Sequence, residues 1–549
     1  MSLNFGQKNL TIKPVVPKYK IETIKVPKQS PRPILPTRTS SNNLRTGAPA
    51  TKVADARGRL AISTSNSGAG KKRKEREISG SRGVGKNSNL KARRSPSQRP
   101  LQTDSEEDEE TRIPAKRAKS ENVELDLGRS LKDQKAFSSD AADNQGSKCK
   151  MIHAADVMMT KHRAKRGEKV CDRKKEEGEA VYLRYPSVRR MERYQLISEG
   201  EVIDPGEEEL INPYDEIPKI AEIVKDEYLT EEQAAEFQHP ETGIIRKINK
   251  ATNNITWTLA NKHKKPYDKA KLKELLVEFR NAVEVYNDAL GTLTKNGSLA
   301  HNLDNKHSLS SKLLKMVLQQ VYDRAVSPQV ELTREYQNGT DYVYGELTFP
   351  FISRILKEDT HMKSDQVFID LGSGVGNVVI HAALQVGCES WGCEIMENCC
   401  KLALIQKTEF FARCRAWGLS AGSVNLEEGN FMENTKIHEA MRRADVILVN
   451  NQVFNPDLNQ HLVDLFLDLK EGCKIVSLKT FVPDGHVVNR YNQDNPINLL
   501  RVEKKTFAQG DVSWQGGGGN YYVATKDSSI VANYHKSQED RQVRGTRVR

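Results

Sequence analysis

The chain has 549 residues, room for about three domains by length alone, yet only 37% of them are apolar and the mean hydropathy is −0.65, so much of it cannot bury a core. Charge is uneven: residues 1–180 carry 40 Lys and Arg against 22 Asp and Glu, while the remaining 369 carry 45 against 51. A basic arm on a slightly acidic body points to a polyanionic partner, and the lack of an apolar run near ~18 residues or of an apolar signal core argues against a membrane-spanning or secreted protein.

From Met1 to about Ala180 no periodicity is sustained, and the segment reads as a disordered arm. It holds Lys71–Arg76, Lys91–Arg94 and Pro114–Lys119, basic runs suited to nuclear import or to phosphate backbones, and an acidic block around a serine, Asp104–Glu110. A further basic cluster, Lys161–Arg166 with Arg173–Lys175, stands where order begins. Val181–Tyr194 mixes aromatics with arginines, either strands packing on the body or stacking platforms for bases. Residues 181–335 are expected to be mostly helical. Apolar spacing marks helices at Glu216–Val224, after a Thr230 N-cap, over Tyr267–Leu290 with Gly291 as C-cap, and over Ser310–Val326.

A second folded part is expected over 336–530, with 531–549 as a tail. Its centre is Val367–His381: a buried strand ending near Asp370, then Gly372, Gly374 and Gly376, then Asn377 opening an apolar helix. That order brings a ligand against bare backbone N–H groups at a helix N-terminus. Glu394, closing the next short run, can accept the hydroxyls of a ribose. The third glycine comes one residue too early for a dinucleotide fingerprint, and D-x-G-x-G-x-G looks like motif I of class I methyltransferases, which bind S-adenosylmethionine. Later runs continue the alternation: a helix over Met396–Ala416, a strand at Ala444–Asn450, a helix over Pro456–Leu469, a strand at Gly472–Leu478. Two β-like runs follow, Leu499–Phe507 and Ser513–Thr525, the second interrupted at Gly516–Gly519. The expected fold is α/β, a doubly wound sheet with an antiparallel end, preceded by a helical domain.

Ligands in such sheets bind beyond the strands' carboxyl ends, which nominates Asp370 with the glycine loop, Glu394, Asn430-Phe431 and the amides Asn450-Asn451. The eight cysteines include no C-x-x-C pair and read as buried free thiols of a reducing compartment, with no metal site.

Taken together, Asp370–Asn377 (DLGSGVGN), Val343–Glu346, Val449–Asn451, Phe454–Pro456, Glu471–Phe481, Val512–Trp514 and Tyr521-Tyr522 resemble the disruptor-of-telomeric-silencing histone methyltransferases over roughly 200–530, and the long basic arm resembles the fungal members. The resemblance implies S-adenosyl-L-methionine as cofactor, a lysine on the globular surface of histone H3 in nucleosomes as substrate, nucleosomal DNA as a partner of the arm, a nuclear location and a role in chromatin silencing. It implies a covering loop at Tyr344, Gly345, Glu346 and Leu347, and a cradle for methionine and ribose over Phe368, Ile369, Asp370, Leu371, Gly372, Ser373, Gly374, Val375, Gly376 and Asn377. It further implies Glu394 on the ribose, Asn430 and Phe431 on the adenine, Asn450 at the active centre and Tyr521 lining a lysine channel. Leu347, Asn377 and Asn430 depart from the animal members, which have threonine, glutamine and aspartate there. A nucleic-acid base methyltransferase and a chromatin scaffold with a degenerate pocket are the rival readings.

Overall fold

The computed structural model describes residues 125–138, 151–158, 180–188, 190–196, 211–261, 269–334, 345–514 and 516–547. The basic runs at 71–76, 91–94, 114–119 and 161–175, the acidic block at 104–110 and Tyr344 lie outside the described residues.

The run with mixed aromatics and arginines is a hairpin, β1 (Ala180–Arg184) paired antiparallel with β2 (Met191–Gln195). Val181, Leu183, Tyr185 and Tyr194 are buried, so Tyr185 and Tyr194 belong to the core, while Tyr182 alternates to the exposed face. A helical layer follows: α1 (Pro213–Tyr228), α2 (Glu231–Gln238), α3 (Ile244–Ala260), α4 (Lys269–Lys295), α5 (Ser298–Asp304) and α6 (Ser311–Ala325). Thr230 caps α2 in a reciprocal box with Gln233, and Ser310 caps α6. Gly291 does not end its helix; α4 runs one turn further, and Gly291 gives room to the Arg184 side chain packed over it.

The second half comprises α7 (Phe349–Arg354) with a π-turn at Ile355–Asp359, β3 (Val367–Leu371), α8 (Asn377–Gln385), β4 (Glu389–Glu394), α9 (Glu397–Trp417) and β5 (Val424–Glu428). Then come α10 (Thr435–Met441), β6 (Val446–Val449), α11 (Pro456–Leu465), β7 (Lys474–Ser477), β8 (Leu500–Phe507), β9 (Gly519–Lys526) and α12 (Ser529–Arg547). The seven strands lie in the order β5-β4-β3-β6-β7-β9-β8, parallel through β7 and antiparallel at β9 and β8. This is the doubly wound sheet with an antiparallel end expected from the sequence. The final strand starts only at Gly519, so the glycine run leads into it instead of interrupting it, and the expected tail carries a helix. Since β4 and β6 flank β3 on opposite sides, the chain reverses direction of winding there, and a crevice opens past Leu371 and Val449.

Part of the expected arm is folded. Leu131, Ala136, Met151, Ala154, Val157 and Met158 are buried, and the Arg129 guanidinium donates to the carbonyls of Leu384 and Gln385 at the end of α8. A cation there complements the helix C-terminus. The apolar spacing of Met151, Ala154 and Met158 was the local signal for this packing. One apolar cluster joins Met151, Ala154, Val157 and Met158 to the helical layer and one face of α8 and α9, so the helical part and the sheet share a core. At its centre Glu192 is fully buried, with Arg324 at 2.7 Å and Arg413 at 2.5 Å. Burial alone would raise this carboxyl, but the two guanidinium groups prevail and hold it well below the carboxylate range.

Candidate active site

Gly372, Gly374 and Gly376 have φ of +85°, +54° and +84°, a left-handed alternation that L side chains adopt at a cost. The loop is pinned at its start, where the N–H groups of Gly372 and Ser373 both donate to the Cys393 carbonyl. No side chain caps α8, which leaves its first N–H groups open toward the crevice. Glu394 stands beside the loop with both oxygens fixed: Oε2 accepts from Gly374 N–H at 2.9 Å, and Oε1 from the N–H groups of Ile395 and Met396 at 2.8 Å. Asp370 is buried at the strand end, and burial together with the Glu394 carboxylate pushes its pKa well above the usual range. A cation placed beside this pair would draw Asp370 back to its ionised form.

The remaining expected cradle residues divide into two groups. Phe368, Ile369, Leu371 and Val375 are buried in the sheet's apolar clusters, so their side chains support the loop from beneath. Ser373 is also buried, against Gly392, where an added Cβ would stand 2.7 Å from its hydroxyl. Asn377 faces the covering segment, donating to Glu346 Oε1 at 2.8 Å. That segment is itself tethered. Glu346 and Ser513 exchange hydrogen bonds, Leu347 forms a bridge with Val512 and is buried, and Trp514 lies on Gly345 so closely that a Cβ there would meet its ring at 2.5 Å.

Asn450 is half-buried at the end of β6 and reaches the Gly345 carbonyl at 3.5 Å. Its neighbour Asn451 does not face the crevice as expected. It is fully buried, its Oδ1 accepts from the N–H groups of Leu478 and Lys479, and its Nδ2 donates to Asn459 Oδ1 and the Lys479 carbonyl. A buried amide with every bond satisfied is a structural rivet. The Asn430 side chain closes its own turn by accepting from Met432 N–H, and Phe431 stacks on Phe454 at 6.2 Å, with Phe454 close to Gly372. The two rings can wall one side of a planar ligand; the Asn430 amide is engaged elsewhere.

Tyr521 is paired in β9 one residue past the Tyr522–Ser477 match, so its backbone lies at the same strand ends as the glycine loop. Its ring is buried against Phe351, and its hydroxyl donates to Asp359 Oδ2 at 2.8 Å. Burial first, and then Asp359, push the phenol well above the ordinary tyrosine range. Asp359 also pairs with Lys505 at 2.9 Å. Among the described residues there is no cluster of His, Cys, Asp and Glu able to hold a metal, and all the described cysteines are buried free thiols.

Residues 322–526 match the family model described as Histone methylation protein DOT1. The chain is 43% identical to a histone-lysine N-methyltransferase, H3 lysine-79 specific, of Aspergillus fumigatus over 77% of this chain and 78% of that protein. It is 45% identical to the protein of the same description from Gibberella zeae, over 73% and 74% of the two chains. This chain belongs to the DOT1 family. Among solved structures, an RNA methyltransferase from Salinibacter ruber in complex with S-adenosyl-L-homocysteine shares 23% identity over 33% of this chain and 94% of that chain, at a TM-score of 0.23, too slight a likeness to argue from. Against the DOT1 expectations, sequence reasoning missed Asp359, Tyr322 and Gln406 as neighbours of the site. Their partners lie far off in the chain, and no local motif marks them.

Proposed function

We propose that this chain is a nuclear histone-lysine N-methyltransferase that uses S-adenosyl-L-methionine to methylate the lysine-79 position of histone H3 in nucleosomes. The observation that carries the reading is the glycine loop with three left-handed glycines and Glu394 pre-set beside it, in a chain of the DOT1 family.

The residues present fit the cofactor. The open N–H groups of α8 suit its carboxylate, raised Asp370 suits its ammonium, Glu394 suits the ribose diol, and Phe431 with Phe454 suits the adenine face. When bound, it supplies a methyl already activated by a sulfonium, so the chain has to align the acceptor and present it uncharged. A lysine of pKa ~10.4 is mostly protonated at neutral pH, and an apolar approach lined by Tyr521 would disfavour that form. The Tyr521 phenol, bonded to Asp359 and raised, stays neutral and does not take the proton; its ring acts as a wall. Asn450 orients, through its amide, at the end of β6. The basic arm binds nucleosomal DNA.

Purified protein incubated with methyl-labelled cofactor and, separately, nucleosomes, free histones and bare DNA tests this. Label should enter histone H3 of nucleosomes at one lysine. Label in bare DNA would favour base methylation, and cofactor binding without transfer would favour a scaffold.

A further inference from the structure

Gln406 sits inside α9 with no exposed surface. Its amide nitrogen donates to the Val375 carbonyl within the glycine loop at 2.6 Å and to Asn377 Oδ1 at 3.0 Å. Its own carbonyl oxygen meets no donor among the described residues. Asn377 passes the connection on to Glu346 Oε1, which also accepts the Tyr322 hydroxyl at 3.2 Å. Four side chains from α6, the covering segment, the start of α8 and the middle of α9 thus form one line of hydrogen bonds. A leucine would fill the same space without burying a polar group, so the amide is explained by what it holds.

We propose that Gln406 is a positioning residue for the cofactor pocket, setting the glycine loop through the Val375 carbonyl and seating the covering segment through Asn377 and Glu346. It touches neither cofactor nor substrate. Asn377 spans to Glu346 with its amide nitrogen while Gln406 holds its amide oxygen. The helical layer joins the same line through Tyr322. The inference rests on the reading that the loop binds S-adenosyl-L-methionine.

The test compares full-length wild type, Gln406→Leu, Asn377→Ala, their double variant and Tyr322→Phe. Calorimetry gives S-adenosyl-L-methionine affinity, and nucleosome turnover is read at saturating cofactor. Gln406→Leu should bind roughly tenfold more weakly, the weight of one or two ordinary hydrogen bonds, with turnover at saturation within about twofold. The double variant should lose less than the product of the two single losses, because both break the Gln406–Asn377 bond, while the Val375 bond is lost only with Gln406. Tyr322→Phe should give a smaller loss of the same kind, and Gln406→Asn, too short to reach Val375, reads the same quantity should the leucine variant not fold. Unchanged affinity in Gln406→Leu or Gln406→Asn, or fully multiplicative losses, would overturn the proposal. Failure of wild type to bind the cofactor would instead sink the reading beneath it.

Discussion

Replacing Glu394 with Gln tests the ribose assignment most directly. The carboxylate is already fixed by three backbone N–H groups, from Gly374 on one oxygen and from Ile395 and Met396 on the other. Little reorganisation is therefore needed when a diol arrives, and the energy of its hydrogen bonds goes into affinity. Bonds to a charged acceptor contribute about 1.5–3 kcal/mol each and neutral ones about 0.5–1.5. Gln keeps the shape but loses the charge, and its NH2 must face the Gly374 N–H, donor against donor, so the net loss is at least about 2 kcal/mol, roughly a thirtyfold or greater weakening of Kd. Calorimetry should show the same factor for S-adenosyl-L-methionine and S-adenosyl-L-homocysteine, since the ribose is common to both. Turnover at saturating cofactor should stay within about threefold. If turnover fell further than affinity, Glu394 would be aligning the reaction and would not be a ribose contact alone.

Asp370→Asn should raise the melting temperature at neutral pH while weakening cofactor binding. The folded-state pKa of Asp370 lies above its ordinary 3.8, so the stability this group contributes is fully present below that value and is lost as pH rises through the window above it; the asparagine variant should lack that loss in a pH series of thermal melts. Asn450→Ala should bind cofactor nearly normally yet turn over nucleosomes far more slowly, and a normal rate would remove it from the active centre. Changing the eight Lys and Arg between Lys161 and Lys175 to Gln should flatten the salt dependence of nucleosome binding, whose log–log slope is about −0.9 per neutralised phosphate; equal slopes would reduce this cluster to a solvated tail. Substitution is preferred to deleting residues 1–175, because deletion would also strip Arg129 and the buried Met151–Met158 stretch from the body.

The fold was legible where local chemistry dictates it. Strand β3, the glycine turn and α8 follow from β-branched residues, three alternating glycines and an apolar helix opening at Asn377. Thr230 and Ser310 announced their helices because caps are local. Gly291 misled for the converse reason: tertiary packing of Arg184 across it, and not a turn, explains the glycine. The Val181–Tyr194 run resolved toward packing because Tyr185 and Tyr194 surround a buried carboxylate whose partners, Arg324 and Arg413, lie in distant helices.

The site divides along the same line. The proposed cofactor side is made chiefly of backbone, and backbone geometry leaves a signature in glycine spacing, so the left-handed turn at Gly372–Gly376 could be read directly. The proposed acceptor side is made of side chains that meet only after folding. Tyr521 on β9 needs Asp359 from a π-turn, Gly345 is held to a glycine by Trp514, and Leu347 is placed by Val512. Asn450 and Asn451 show the limit most sharply. They are chemically identical and adjacent, yet one reaches the covering segment and the other rivets β6 to the segment after β7. Strand alternation sends neighbours to opposite sides, but which side holds the crevice is decided by the sheet order β4-β3-β6, a property of the whole chain and of no local run within it.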